Sequence, residues 1–88
     1  MRYFKRLRSV NKSYEEQGLI YFTCINYKRQ PARIREKIDR LCESAGGEYA
    51  TALKEYMTTD ADWIYICDRY HLSNSTLERI RRAFFESW

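Results

Sequence analysis

Glycine, proline and histidine are scarce in this sequence, which has 3 Gly, 1 Pro and 1 His among its 88 residues. Little therefore interrupts regular secondary structure. Apolar residues recur mostly at three- and four-residue spacing, which is the period of an α-helix. We predict an all-α fold of four to five short helices around one modest core, because a chain of this length cannot build two.

Metal ligands and catalytic groups are also thinly represented. The three cysteines occur singly, with no C-x-x-C pair, at Cys24, Cys42 and Cys67. A zinc site is therefore not expected, and an odd number of thiols in apolar stretches indicates a reducing compartment such as the cytoplasm. No Ser-His-Asp or Cys-His spacing, glycine-rich phosphate loop or carboxylate pair stands out. The sequence predicts neither an enzyme nor a bound cofactor.

Long apolar runs are missing as well. No segment approaches the roughly 20 residues that a transmembrane helix needs. The apolar stretch at 18–27 follows a basic start, as it would in a secretory signal, but Glu15 and Glu16 precede it closely and no small-residue cleavage site follows. We expect no membrane segment and no secretory signal.

Charge is abundant and unevenly distributed. The formal net charge is +4, yet residues 1–12 alone contribute five basic side chains and no acidic one, at Arg2, Lys5, Arg6, Arg8 and Lys12. A second basic block spans 28–40, whereas the stretch 48–68 is acidic. We interpret 1–12 as a basic arm on a single helical domain at 13–88. Whether the arm grips phosphates or only solubilises the protein stays open.

The first half of the domain is predicted to hold two helices. Ser13 and Glu16 have the spacing of a capping box, which places the first helix start at Tyr14. The run at 19–27 would also suit a strand, but no second strand is evident to pair with it. We predict a buried helix whose apolar face consists of Tyr14, Gly18, Tyr21, Phe22 and Ile25.

The second helix is predicted to begin at Pro31 and to end at Gly46 and Gly47, since glycine permits a left-handed backbone. The residues of its apolar stripe are Ile34, Ile38, Leu41, Cys42 and Ala45. Its outward face carries most of the second basic block, which consists of Lys28, Arg29, Arg33, Arg35, Lys37 and Arg40. An ordinary solvated face with ion pairs, such as Glu36 to Arg40, is the favoured interpretation.

Two short helices should follow. The third covers about 48–57, with a stripe formed by Tyr49, Leu53, Tyr56 and Met57. Thr59 is predicted to cap the fourth, whose first turn would hold Asp60 and Asp62, because the helix dipole favours acidic side chains there. The buried stripe of this fourth helix is predicted to be Trp63, Ile66, Cys67 and Tyr70.

The final helix has a clear start signal. Ser73 can cap the free N–H groups of its first turn, and Leu72 before the cap can pack onto Leu77. The residues that recur at helical spacing along its apolar stripe are Leu77, Ile80, Phe84 and Trp88.

Together with the fourth helix, this helix has the spacing of a helix-turn-helix, at about 60–88 with the tight turn at 69–72. The turn position that usually holds glycine is occupied by His71. A left-handed backbone there costs a residue with a side chain some energy, although histidine tolerates it better than β-branched residues do. The alternative is a turn that is one residue longer or differently shaped.

The pattern S-x-S-T-L-x-R-x-R-R-x-F lies at 73–84, after Tyr-His-Leu in the turn and, further upstream, Gly-Gly-Glu-Tyr and Thr-Thr-Asp. It resembles the small helix-turn-helix regulators encoded by phages and mobile elements of Gram-positive bacteria, which are similar to sigma factor region 4 and to phage late-gene activators. The resemblance is concentrated in 62–85 and does not reach the arm. It implies sequence-specific binding of double-stranded DNA and control of transcription. Such a motif also occurs in phage small terminase subunits and in modules that bind only protein.

On this interpretation the final helix reads the major groove. The DNA-binding residues would be Ser73, Asn74, Ser75, Thr76, Glu78, Arg79, Arg81 and Arg82, with Arg2, Lys5, Arg6 and Arg8 of the arm on phosphates. The alternative is a helix-turn-helix interaction module that contacts RNA polymerase or phage packaging machinery. The aromatic chain end either belongs to the core or forms a two-fold dimer surface, which would comprise Phe84, Phe85 and Trp88.

Overall fold

The computed structural model describes residues 7–8 and 10–88, which contain five α-helices and no strand. The predicted all-α fold is confirmed. The helix bounds are α1 Tyr14–Ile25, α2 Ala32–Gly46, α3 Ala50–Thr58, α4 Trp63–Tyr70 and α5 Asn74–Ser87, with short 3-10 helices at Tyr27–Arg29 and Gly47–Tyr49. Of the predicted arm contacts, Arg2, Lys5 and Arg6 lie outside the described residues.

The start of α1 is the predicted capping box. The Ser13 hydroxyl accepts a hydrogen bond from the Glu16 N–H at 3.1 Å, and the Glu16 carboxylate accepts one from the Ser13 N–H at 3.3 Å. These two bonds satisfy backbone donors that a helix start otherwise leaves unpaired.

The buried face of α1 differs from the predicted one. Tyr14 and Phe22 are 54% and 51% exposed. Of the predicted residues Tyr21 is buried, and the other buried residues of α1 are Gln17, Ile20 and Cys24. Apolar side chains surround most of this helix, so its sequence defines no clear polar face that would fix its rotation. A buried polar side chain, Gln17, lies on the inner face.

Gln17 joins α1 to the chain before it. Its side-chain oxygen accepts from the Leu7 N–H at 2.7 Å, and its amide nitrogen donates to the carbonyls of Leu7 and Lys12 at 3.1 and 3.0 Å. Val10 is buried in the core and Leu7 packs against it. Part of the stretch interpreted as an arm therefore belongs to the folded domain.

The central element is α2, which packs against both α3 and α5. Its predicted stripe faces the core: Ile38 and Cys42 are buried, and Ile34, Leu41 and Ala45 are partly buried against them. Pro31 precedes the first helical residue by one position, and Gly47 ends the helix with φ 55°, in the positive-φ range that glycine permits.

The starts of α3 and α4 need correction. Residues Gly47–Tyr49 form a 3-10 helix, so α3 begins at Ala50 and not near residue 48. Thr59 does not cap α4, because its hydroxyl donates to the Glu55 carbonyl at 2.6 Å and accepts from the Ala61 N–H at 3.2 Å. The α4 helix begins at Trp63, with Asp62 in the cap position but without a capping side-chain hydrogen bond.

The α4 helix is anchored to α3 at its C-terminal end. The Tyr70 hydroxyl donates to the Glu55 carboxylate at 2.6 Å, and the Arg69 Nε lies 3.4 Å from the same oxygen. Within the predicted stripe Ile66 is buried, while Trp63, Cys67 and Tyr70 are partly buried against the core. This anchoring fixes the first helix of the helix-turn-helix on the domain.

Candidate nucleic-acid interface

The turn between α4 and α5 has a left-handed backbone, which is one of the two possibilities that the sequence leaves open. His71 is left-handed, with φ 56° and ψ 48°, and among the described residues it is the only one other than glycine with positive φ. The Leu72 N–H donates to the Cys67 carbonyl at 2.9 Å, which closes the end of α4. The Leu72 side chain is buried, so the turn is fastened to the core.

The start and the apolar stripe of α5 are confirmed. The Ser73 hydroxyl accepts from the Thr76 N–H at 3.1 Å. Leu77, Ile80 and Phe84 are completely or almost completely buried, and Trp88 packs against the core. One cap and one continuous stripe therefore hold this helix on the domain over its full length.

The expected dimer surface at the chain end is not exposed. Phe84 is fully buried and Phe85 is 3% exposed, and the two rings meet edge to face at 6.3 Å. Of the two interpretations of this aromatic segment, the structure shows the core extending to the end of α5. Phe85 lies within the core although its spacing places it off the main stripe.

Asn74 faces α4 with one end of its side chain. Its Oδ1 accepts from the Trp63 Nε1 at 3.0 Å and lies 3.7 Å from the Cys67 Sγ. The amide nitrogen of Asn74 therefore remains for a ligand, whereas the oxygen does not. Thr76 is half-buried, and its hydroxyl accepts from Ser73 at 2.9 Å, so its role is mainly local.

Arg81 does not belong to the exposed face. Its guanidinium lies 4.6 Å from the centre of the Trp63 ring, and its Nη1 is 3.4 Å from the Tyr56 hydroxyl. The Trp63 ring in turn meets Tyr56 edge to face at 5.4 Å. A cation–π contact holds this side chain at the junction of α3, α4 and α5, so the DNA contact expected of Arg81 stays a prediction.

Four side chains make up the free face of α5: Ser75, Glu78, Arg79 and Arg82, all exposed. Their three- and four-residue spacing places them on one side of the helix. No hydrogen bond or ion pair joins Glu78, Arg79 or Arg82 to another residue of the described part of the chain. Arg8 is also exposed. The free face offers two guanidinium groups and one carboxylate to a ligand, while the Ser75 hydroxyl lies 3.3 Å from that of Ser73.

A second polar cluster lies between α2 and α3, around an open cleft of about 210 Å³. The Tyr27 hydroxyl and the Lys54 Nζ donate to the Asp39 carboxylate at 2.9 and 2.8 Å. Although burial opposes it, these hydrogen bonds hold the pKa of Asp39 below its usual value, and the bond to Asp39 raises the pKa of Lys54. The three side chains form hydrogen bonds with one another and have a structural role.

The two buried thiols are poor nucleophiles. Burial raises the pKa values of Cys24 and Cys42 to about 12, so both stay protonated at neutral pH. Within 7–8 and 10–88, no group of three or more His, Cys, Asp or Glu side chains is placed to hold a metal ion.

In comparisons with protein-family models, with curated proteins and with solved structures, nothing matches this chain. No helix in the described part combines the length and the apolar character needed to cross a membrane. Sequence reasoning missed the part played by Trp63, whose indole N–H needs an acceptor once it is partly buried.

Proposed function

We propose that this protein is a sequence-specific DNA-binding regulator of transcription, of the helix-turn-helix kind that phages and mobile elements encode, with α5 as its recognition helix. The observation that carries the proposal is the free face of α5. A helix that is capped, held by a continuous buried stripe and pinned to α4 presents unpaired guanidinium and carboxylate groups outward. Rigid presentation of such groups is what readout of base edges requires.

Each free side chain has a defined task in this proposal. Arg79 or Arg82 forms the bidentate pair with guanine that is the commonest specific contact, and Glu78 accepts from the amino group of cytosine. Ser73, Ser75 and the amide nitrogen of Asn74 surround the N-terminus of α5, where backbone N–H groups favour a phosphate. Arg8, with Arg2, Lys5 and Arg6, adds affinity that does not depend on sequence. No catalytic step or cofactor is involved.

Selection of random duplexes by the purified protein at two salt concentrations tests this function. We expect an enriched motif that survives the higher concentration, because base contacts release no counterions and persist when phosphate contacts weaken. Binding that declines uniformly for all sequences, with no motif at either concentration, would contradict the proposal.

Arg79→Ala should weaken binding to the selected duplex by about 1–3 kcal/mol and relax one base position, with little effect on unrelated duplexes. Fluorescence anisotropy with both duplexes measures the difference. Lys28→Ala is the matched control, because it removes one exposed positive charge outside α5. An equal loss on every duplex for Arg79→Ala would assign Arg79 to phosphate contact and not to readout.

A second candidate function rests on α4. Ile64 and Tyr65 are 67% and 49% exposed on its outer side, next to the exposed Asp68. Exposed apolar side chains suit a protein partner, so the alternative is an interaction module that contacts RNA polymerase or packaging machinery. The selection experiment separates the two functions, since the module enriches no motif.

A further inference from the structure

A row of three basic side chains runs along one side of α2. Arg33, Lys37 and Arg40 follow one another at four- and three-residue spacing, which places them on a common face of the helix. Arg33 and Arg40 are exposed, and neither forms an ion pair with a described residue. The expected pair of Glu36 with Arg40 is not formed between these described side chains. Arg33 and Arg40 are therefore held by no ion pair within the described part of the domain.

The basic row adjoins the C-terminal end of α5. Lys37 Nζ lies 4.1 Å from the centre of the Trp88 ring. Trp88 directly follows the last residue of α5. Asp39, two residues further along α2, is turned by about 200° around the helix, and its carboxylate contacts Lys54 of α3 at 2.8 Å. On the side of α3, the helix α2 thus carries an acidic group that pairs with Lys54, whereas on the side of α5 it carries the basic row.

The length of α5 places this row near a phosphate strand when the helix is bound to DNA. A helix of 14 residues is about 21 Å long at 1.5 Å per residue, whereas the major groove is only about 12 Å wide. In helix-turn-helix complexes the N-terminal residues of the recognition helix contact the base edges. The C-terminal end then leaves the groove at its wall of phosphates, and Trp88 with its Lys37 contact lies at that end.

We propose that Arg33, Lys37 and Arg40 form a second contact with duplex DNA, which binds the phosphodiester backbone beside the groove that α5 enters. This inference rests on the proposed function, since it takes the position of the DNA from α5. It assigns a role to α2 that its sequence does not distinguish from an ordinary solvated face. The row supplies affinity, and the free face of α5 supplies sequence preference.

The test compares two double variants that each remove two positive charges. Arg33→Gln with Arg40→Gln changes the basic row, and Lys28→Gln with Arg29→Gln changes exposed residues in the 3-10 helix, whose Tyr27 faces the α3 side of α2. Binding to the selected duplex and to a scrambled duplex is measured by anisotropy between 50 and 200 mM salt. Thermal unfolding followed by circular dichroism checks that both double variants fold.

The row variant should flatten the plot of log affinity against log salt by about 0.9 for each lost phosphate contact, or about 1.8 in all. Its selected motif should stay that of the wild type. The control variant should keep a slope within about half a contact of the wild type. Equal flattening in both double variants, or none in the row variant, would overturn the proposal, because only overall charge or neither site would then matter.

Failure of this inference and failure of the proposed function give different results. A wild-type protein that enriches a motif, together with a row variant of unchanged slope, removes the second contact and leaves the regulator intact. If the wild-type protein enriches no motif but the salt dependence flattens in the row variant alone, the contact of α2 with phosphates is retained. The proposed reading of base edges by α5 is then rejected. A wild-type protein that binds no duplex at 50 mM salt overturns both.

Discussion

The two sides of α5 contain similar residues with different roles. On the side that faces the domain, Arg81 stacks on Trp63, and Phe84 is fully buried. On the free face, Arg79 and Arg82 are exposed and make no ion pair or hydrogen bond within the described residues. Three arginines within four positions thus divide into one that holds the helix and two that are available. The neighbour supplied by another helix, and not the residue type, therefore decides the role of each arginine.

The largest expected effect concerns the side of α5 that faces the domain. Phe84→Ala should reduce the free energy of unfolding by about 3–5 kcal/mol, because a fully buried aromatic ring is replaced by a cavity. Urea denaturation measures this loss, and Glu78→Ala on the free face is the matched control, with a change within about 0.5 kcal/mol.

A loss below 1 kcal/mol for Phe84→Ala would mean that the aromatic end of α5 is not part of the core. The dimer interpretation of Phe84, Phe85 and Trp88 would then return, and light scattering over a range of concentrations would test it. A loss of about 3–5 kcal/mol, together with a stability that does not depend on protein concentration, supports burial of Phe84 within the monomer.

The sequence predicted α5 better than α1 for a physical reason. A wide polar face in α5 leaves one side that can be buried, so its stripe of Leu77, Ile80 and Phe84 follows from spacing alone. Apolar residues around α1 allow several rotations, and the hydrogen bonds of Gln17 with residues outside the helix accompany the one adopted. Such bonds depend on where the preceding chain lies, which spacing does not reveal.

The candidate site was also predictable only in part. The cap at Ser73 follows from local chemistry and is confirmed. At His71 the structure shows the left-handed turn, which is one of the two possibilities that the sequence leaves open. The inward position of Arg81 does not follow, because Trp63 is 18 positions earlier in the chain and meets it only after folding. The start of α4 was missed for a related reason: the Thr59 hydroxyl bonds to the carbonyl of the preceding helix.

An intermediate effect is expected at Arg81. Arg81→Ala should lower the free energy of unfolding by about 1–2 kcal/mol, since the cation–π contact with Trp63 and the packing of the side-chain stem are lost. Arg82→Ala should change it by at most about 0.5 kcal/mol. Arg81→Lys keeps the charge but not the planar stacking, so part of the loss should remain. Equal stabilities of the Arg81→Ala and Arg82→Ala variants would break the distinction between the two sides.

The smallest expected effect concerns the turn that sets α5 against α4. A left-handed backbone costs a residue with a side chain about 1–2 kcal/mol, and glycine avoids this cost but gains about 0.4–1 kcal/mol of unfolded-state entropy. His71→Gly should therefore raise stability by between about 0 and 1.6 kcal/mol, whereas His71→Val should lower it, because β-branched residues tolerate this backbone poorly.

Urea denaturation of both His71 variants measures the sign of each change in the free energy of unfolding. Duplex selection by the His71→Gly variant tests whether the turn or the contacts of Trp63 orient α5. If the contacts of Trp63 with Asn74 and Arg81 fix the helix, the glycine variant should enrich the same motif as the wild type, although its turn is less constrained. A changed motif would show that the turn backbone orients the free face. The side of α5 that faces the domain would then stabilise the helix without determining its orientation on the proposed DNA.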